Sequence, residues 1–121
     1  MWSNCLFVAL GGGLGAVGRY LLSLIAAPWS FPVMTLLTNF LGAVVIGAVA
    51  QAAGQLPMSK SAVLFLKTGL CGGFTTFSTF SLETVELLEQ GRWAAGGGYI
   101  LASVGLCLAG VLLGRALVWK I

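Results

Sequence analysis

The stretch Gly69-Leu70-Cys71-Gly72-Gly73-Phe74-Thr75-Thr76-Phe77-Ser78-Thr79-Phe80-Ser81 puts a glycine pair and then five hydroxyl side chains in the middle of an otherwise lipid-soluble chain. Backbone that leaves a helix at membrane depth frees N–H and C=O groups that hydrocarbon cannot satisfy. Such a break has to lie against protein, water or an ion. The stretch is therefore the first candidate for a transport site, and the remaining sequence reads as the scaffold around it.

Composition sets the class. Of 121 residues, 59% are hydrophobic and 7% charged, with a mean hydropathy of +1.03; a soluble domain of this size carries about 25% charged residues. Four apolar spans of about 20 residues each nearly use up the chain. The expectation is an all-α integral membrane protein, one domain over residues 1–121, without a soluble catalytic module. Six Lys/Arg against three acids are too sparse for a nucleic-acid surface. With no Asp and no His, imidazole metal sites, catalytic triads and histidine proton relays are excluded. Cys5, Cys71 and Cys107 are odd in number and widely spaced, and read as free, small apolar residues rather than a disulfide framework.

Outward from the opening stretch, the third apolar element runs from about Lys60 to Gln90. As straight helix it would measure about 45 Å, longer than the hydrocarbon layer, so it projects, tilts or breaks. Gly72-Gly73 places the expected break near its middle. Downstream, at 100° per residue, Thr76, Thr79 and Glu83 fall in one sector of about 60°, with Phe77, Phe80 and Thr84 in the next. A polar lane beside an aromatic one has no reason to face lipid. Glu83, Glu86 and Glu89 close the element near the interface.

The second span, about Val33 to Ala53, holds one deep amide, Asn39, which serves either as interhelical glue or as a hydrogen-bond donor to an anion. The first span, about Cys5 to Ile25, is stripped of bulk by Gly11, Gly12, Gly13, Gly15 and Gly18, a close-packing signature. No Lys or Arg precedes it, so it reads as a span rather than a signal peptide. Arg19, in its last third, either snorkels to the interface or lines a water-filled entrance. In the fourth span, about Ala94 to Trp119, Gly110 and Gly114 mark a packing face. Tyr99 and Ser103 share another face and either line a pore or pair with a neighbouring helix. Pro28, Trp29 and Pro32 mark the first turn, and Trp2, Trp29, Trp93 and Trp119 all fall at expected span ends, as in an interfacial aromatic belt.

Four spans put both termini on one side of the bilayer. Lys60, Lys67, Arg115 and Lys120 lie on that side, against Arg19 and Arg92 on the other. So weak a bias allows insertion in both orientations. The chain shows no internal repeat, and two oppositely inserted copies would supply the symmetry that transport folds often draw from inverted halves.

Gly-Gly-Phe-Thr-Thr-Phe-Ser-Thr-Phe-Ser at 72 to 81, Thr38-Asn39, and Gly18-Arg19-Tyr20 at the end of a glycine-rich first span together resemble the Fluc (CrcB-like) fluoride channels. The resemblance covers essentially the whole chain, and the third-span motif is its most specific part. It implies an antiparallel, dual-topology homodimer with two pores that lets fluoride leave the bacterial cytoplasm passively across the inner membrane. Carried over by position, Phe77 and Phe80 match the pore phenylalanines and Asn39 the pore amide. Ser78, Thr79 and Ser81 belong to the hydroxyl stretch beside them. Arg19 matches the vestibule arginine, Glu83 and Tyr99 match pore-side positions, and the carbonyls of Gly72 and Thr75 match those of a structural sodium site on the dimer axis.

The chemistry agrees. Fluoride is small and strongly hydrated, so a pore has to replace water with donors such as an amide and hydroxyls, and aromatic rings offer positive edges to an anion. Two other classes compete. A small proton-coupled multidrug exporter needs a deep carboxylate, whereas all three acids here lie late in the third element. A non-transporting assembly subunit would share the glycine faces but has no use for the phenylalanine and hydroxyl lanes.

Overall fold

The computed structural model describes residues 1–25 and 30–119, and these are helical with no strand among them. The elements are α1 (Trp2–Ser23), α2 (Val33–Gln55), α3 (Lys60–Val63), a π-helical segment (Leu64–Cys71), α4 (Gly72–Phe74), α5 (Phe77–Glu89) and α6 (Trp93–Trp119). Three of them, α1, α2 and α6, are long and apolar enough to cross a membrane. From α3 to α5 the chain forms one long bent element. Pro28 and Trp29 of the expected first turn, and Lys120, lie outside the described residues.

Hydrogen bonds at the two ends give its path. Ser61 at its start reaches Asn4 of α1 (3.2 Å), while Arg92, just beyond its far end, donates to the carbonyl and hydroxyl of Ser30 (both 3.1 Å). The bent element therefore runs alongside α1 and extends to the loop before α2. α6 returns, and Gln55 meets the Trp119 carbonyl (3.5 Å). Trp2, Trp93 and Trp119 sit exposed at helix ends, where the sequence placed them.

Local chemistry sets the ends of these pieces. The Ser59 hydroxyl accepts from the Ala62 N–H and opens α3. α5 closes at Gly91, which has φ +75°. There the Gly91 and Arg92 N–H groups return to the Leu88 and Leu87 carbonyls, so a residue without Cβ is required.

Packing is by small residues. Gly47, Gly110 and Gly114 bring α2 and α6 into backbone contact; a Cβ at Gly114 would collide with the Val44 carbonyl and one at Gly47 with that of Val111. Gly11 and Gly15 do the same for α1 against the π-helical segment and α4. Lipid offers no hydrophobic drive between helices, so such close approach supplies the association.

The break differs from expectation in place and cause. Gly72 is right-handed helical (φ −62°, ψ −38°), and the chain leaves the helix at Thr75 (ψ 157°) and Thr76 (ψ 114°). Gly73 is needed because a Cβ there would strike the backbone of Gly12. Gly73 serves interhelical approach, Gly72 stays helical and exposed, and the break falls just beyond the pair.

Candidate functional site

Four groups hold the two extended residues. The Thr75 hydroxyl donates back to the Cys71 carbonyl (2.9 Å). The Thr76 hydroxyl accepts from the Thr79 N–H (3.1 Å) and caps α5. Asn39 clamps the Thr76 backbone from both sides, its Oδ1 accepting from the N–H (2.8 Å) and its Nδ2 donating to the carbonyl (3.1 Å). Arg19 Nε donates to the Gly73 carbonyl (3.2 Å) at the C-terminal end of α4, where positive charge also suits the helix dipole.

These bonds release particular carbonyls. In an unbroken helix the N–H groups of Thr76 and Thr79 would go to the carbonyls of Gly72 and Thr75. Here they go to Asn39 and to the Thr76 hydroxyl. The Gly72 and Thr75 oxygens are thereby left without their helical donors, beside an open groove of 440 Å³ that both residues line.

That groove also gathers Asn39, Phe77, Phe80 and Ser103. Asn39 spends one N–H on Thr76 and keeps a second. Ser103 Oγ is buried without a hydrogen-bond partner. Phe77 is 80% exposed, and its ring lies 5.6 Å from that of Phe80. Phe80 in turn meets Tyr99 edge-on at 5.0 Å.

Tyr99 is fully buried, with Phe31 edge-on at 5.3 Å on its other side. Its hydroxyl donates to Glu83 (2.9 Å), whose second oxygen accepts from the Thr35 hydroxyl (3.1 Å). The Glu83 carboxylate is thus fixed by two O–H donors on two other helices. Thr35 was not singled out from sequence, although it lies four residues before Asn39 on the same face of α2, a spacing that points to it.

The two lanes read from α5 open into different spaces. Phe77 and Phe80 face the groove, whereas Thr79 faces a smaller cavity of 140 Å³ with Arg19, Thr35 and Thr38. Thr76, at the break, lines both. Ser78 and Ser81 line neither: Ser81 returns its hydroxyl to the Phe77 carbonyl (2.9 Å) and Ser78 lies 3.4 Å from the Thr76 hydroxyl.

Residues 6–115 match the family model described as CrcB-like protein, Camphor Resistance (CrcB). The chain belongs to the CrcB-like family. Its curated relatives include a protein of Roseiflexus sp. (strain RS-1), 48% identical over 92% of this chain and 93% of its own length. A second, from Ruminiclostridium cellulolyticum, is 45% identical over 94% and 91%. A third, from Shewanella frigidimarina, is 47% identical over 98% of each. All three carry the name Fluoride-specific ion channel FluC. The CrcB-like match spans every residue of the break, the groove and the Arg19 cavity named above.

Proposed function

We propose that this chain is a fluoride-selective channel, not an enzyme, and that it lets fluoride leave the bacterial cytoplasm passively across the inner membrane. The observation that carries this reading is the groove itself: an amide with a spare N–H, an unpartnered buried hydroxyl and two phenylalanines line one space that no carboxylate lines. A spare amide N–H and an unpartnered hydroxyl with no competing carboxylate suit an anion, and the names of the relatives supply which one.

The working unit is an antiparallel homodimer with two pores. The carbonyls released at the break lie beside an open groove, and hydrocarbon cannot satisfy them. A second copy across that groove would cover them. Asn39, Phe77, Phe80 and Ser103 form the groove side of each pore. Arg19 and Thr79 form its entrance cavity, and Tyr99 and Glu83 its wall. Ser78 and Ser81 support the bend at the start of α5.

A sodium ion fits the break. Neutral carbonyl oxygens suit a hard monovalent cation, and the Gly72 and Thr75 carbonyls have lost their helical donors. Two copies would present four such oxygens on the axis. The ion would be structural, holding the broken helices together.

Reconstituted in liposomes, the protein is expected to release fluoride rapidly without a proton gradient and to release little chloride. Equal release of both halides, or dependence on a pH gradient, would overturn the reading. Replacing sodium by a large organic cation, after long equilibration, is expected to lower dimer stability. Unchanged stability together with no detectable bound cation removes the sodium site alone.

A further inference from the structure

We propose that Lys67 is an anion-recruiting residue of the groove, meeting the permeating anion before it reaches Phe77 and Phe80; the inference rests on the fluoride-channel reading above. Lys67 belongs to the π-helical segment and lines the same groove as Thr75, Phe80 and Ser103. The Gly72 N–H donates to the Lys67 carbonyl, so Lys67 stands one wide π turn before Gly72, upstream of the break at Thr75 and Thr76.

Its charge has no counter-charge there. Among the described residues that line the groove, Lys67 is the one cation and none is a carboxylate. The three acids of the chain all lie in α5, at Glu83, Glu86 and Glu89. Glu83 and Glu86 line a separate space near Ser30 and Gln90. Lys67 is exposed along this open groove, and a cation lining a concave surface without a paired acid raises the local concentration of anions, to a degree that added salt screens.

A second observation on another helix points the same way. Ser103 of α6 is 7% exposed, its Oγ has no partner, and it lines the same groove as Lys67. A buried hydroxyl left unpaired is costly unless a ligand uses it. One helix thus supplies charge and another an O–H donor. The Arg19 cavity, which meets the groove at Thr76, also holds one cation and no carboxylate. Arg19, however, commits its Nε to the Gly73 carbonyl. Lys67 provides the groove's charge on the opposite side of the break.

The competing role for Lys67 is to reach out of the groove and pair with a lipid phosphate. The test compares wild type, Lys67→Arg, Lys67→Met and Lys67→Glu in liposomes of zwitterionic lipid. Initial fluoride efflux is read at low fluoride, at about 20 mM and about 300 mM ionic strength, where screening differs strongly. Thermal stability of each variant is measured alongside.

Electrostatic recruitment predicts that Lys67→Met lowers the low-salt rate about threefold to tenfold and that Lys67→Glu lowers it further, with Lys67→Arg near wild type. It also predicts that wild-type efflux falls with added salt while Lys67→Met is nearly insensitive to it. Equal rates for wild type and Lys67→Met at low salt overturn the inference. So does a loss in Lys67→Met that is the same at both ionic strengths and tracks lost thermal stability, the result expected of a lipid anchor. Absence of fluoride efflux from the wild type is a different failure, since it removes the channel reading itself.

Discussion

Before the break, Gly69 and Gly73 press against the backbone of α1 with no side chain between them. After it, α5 is held by side chains: Thr76 caps it, Glu83 is bound by Tyr99 and Thr35, and Phe80 packs edge-on against Tyr99. The first arrangement tolerates no added carbon, because the atoms that would be struck are backbone. The second is a set of exchangeable donors and rings, so substitution there changes what the groove offers an ion before it changes whether the chain folds. One helical element thus carries a structural half and a chemical half, joined at Thr75 and Thr76.

The sharpest way to break this contrast is Gly15→Val. A Cβ at Gly15 would strike the Leu70 carbonyl and crowd the backbone at Phe74. The expected cost is about 3 kcal/mol or more, read as loss of monodisperse folded protein in detergent. Gly13, where a Cβ meets nothing within 4 Å, serves as control; Gly13→Ala is expected to stay within about 0.5 kcal/mol. Similar stability for both variants would show that backbone contact does not set the first half apart.

Asn39→Ala tests the joint between the halves. It leaves the Thr76 N–H and carbonyl unpaired, at about 2 to 3 kcal/mol. Stability and fluoride efflux are expected to fall together. A variant that loses efflux with full thermal stability would make Asn39 a pure ion ligand rather than a clamp.

Phe80→Ile addresses the chemical half alone. The lost edge contact with Tyr99 is worth about 1 kcal/mol. Fluoride efflux is expected to drop at least about tenfold, since the aliphatic chain offers an anion no positive edge. Efflux that falls only in proportion to folded protein would reduce the ring to packing.

The smallest effect is expected at Ser78, which belongs to the motif but lines neither the groove nor the Arg19 cavity. Ser78→Ala is expected to keep efflux within about twofold of wild type and stability within about 0.5 kcal/mol. A larger loss of efflux would mean that the hydroxyl run acts as one polar lane.

Much of this architecture is written locally in the chain. The helix limits follow from apolar run length, from tryptophans at the ends, from Ser59 as a start signal and from Gly91 as a stop signal, all of which act within a turn or two of themselves. The membrane class follows from composition, and Gly110 and Gly114 identify a packing face because only small residues let helices touch in lipid. Asn39, Phe77, Phe80 and Ser103 were also legible as candidates, being polar or aromatic residues placed where lipid gives them no reason to be.

What only the tertiary structure decided is which polar group is spent and which is left. The Thr76 hydroxyl caps a helix and that of Ser81 turns back on its own backbone, while Ser103 has no partner. The Gly72 and Thr75 carbonyls lose their helical donors because Asn39, 37 residues from Thr76, and the Thr76 hydroxyl take those hydrogens instead. Arg19 reaches a carbonyl 54 residues away. The displacement of the break from Gly72-Gly73 to Thr75-Thr76 has the same origin: α1 claims Gly73 for contact, and Asn39 holds Thr76 extended. Periodicity reports which side of a helix a residue occupies. A hydrogen bond also depends on what a distant helix brings to that side, and that is settled only when the helices pack.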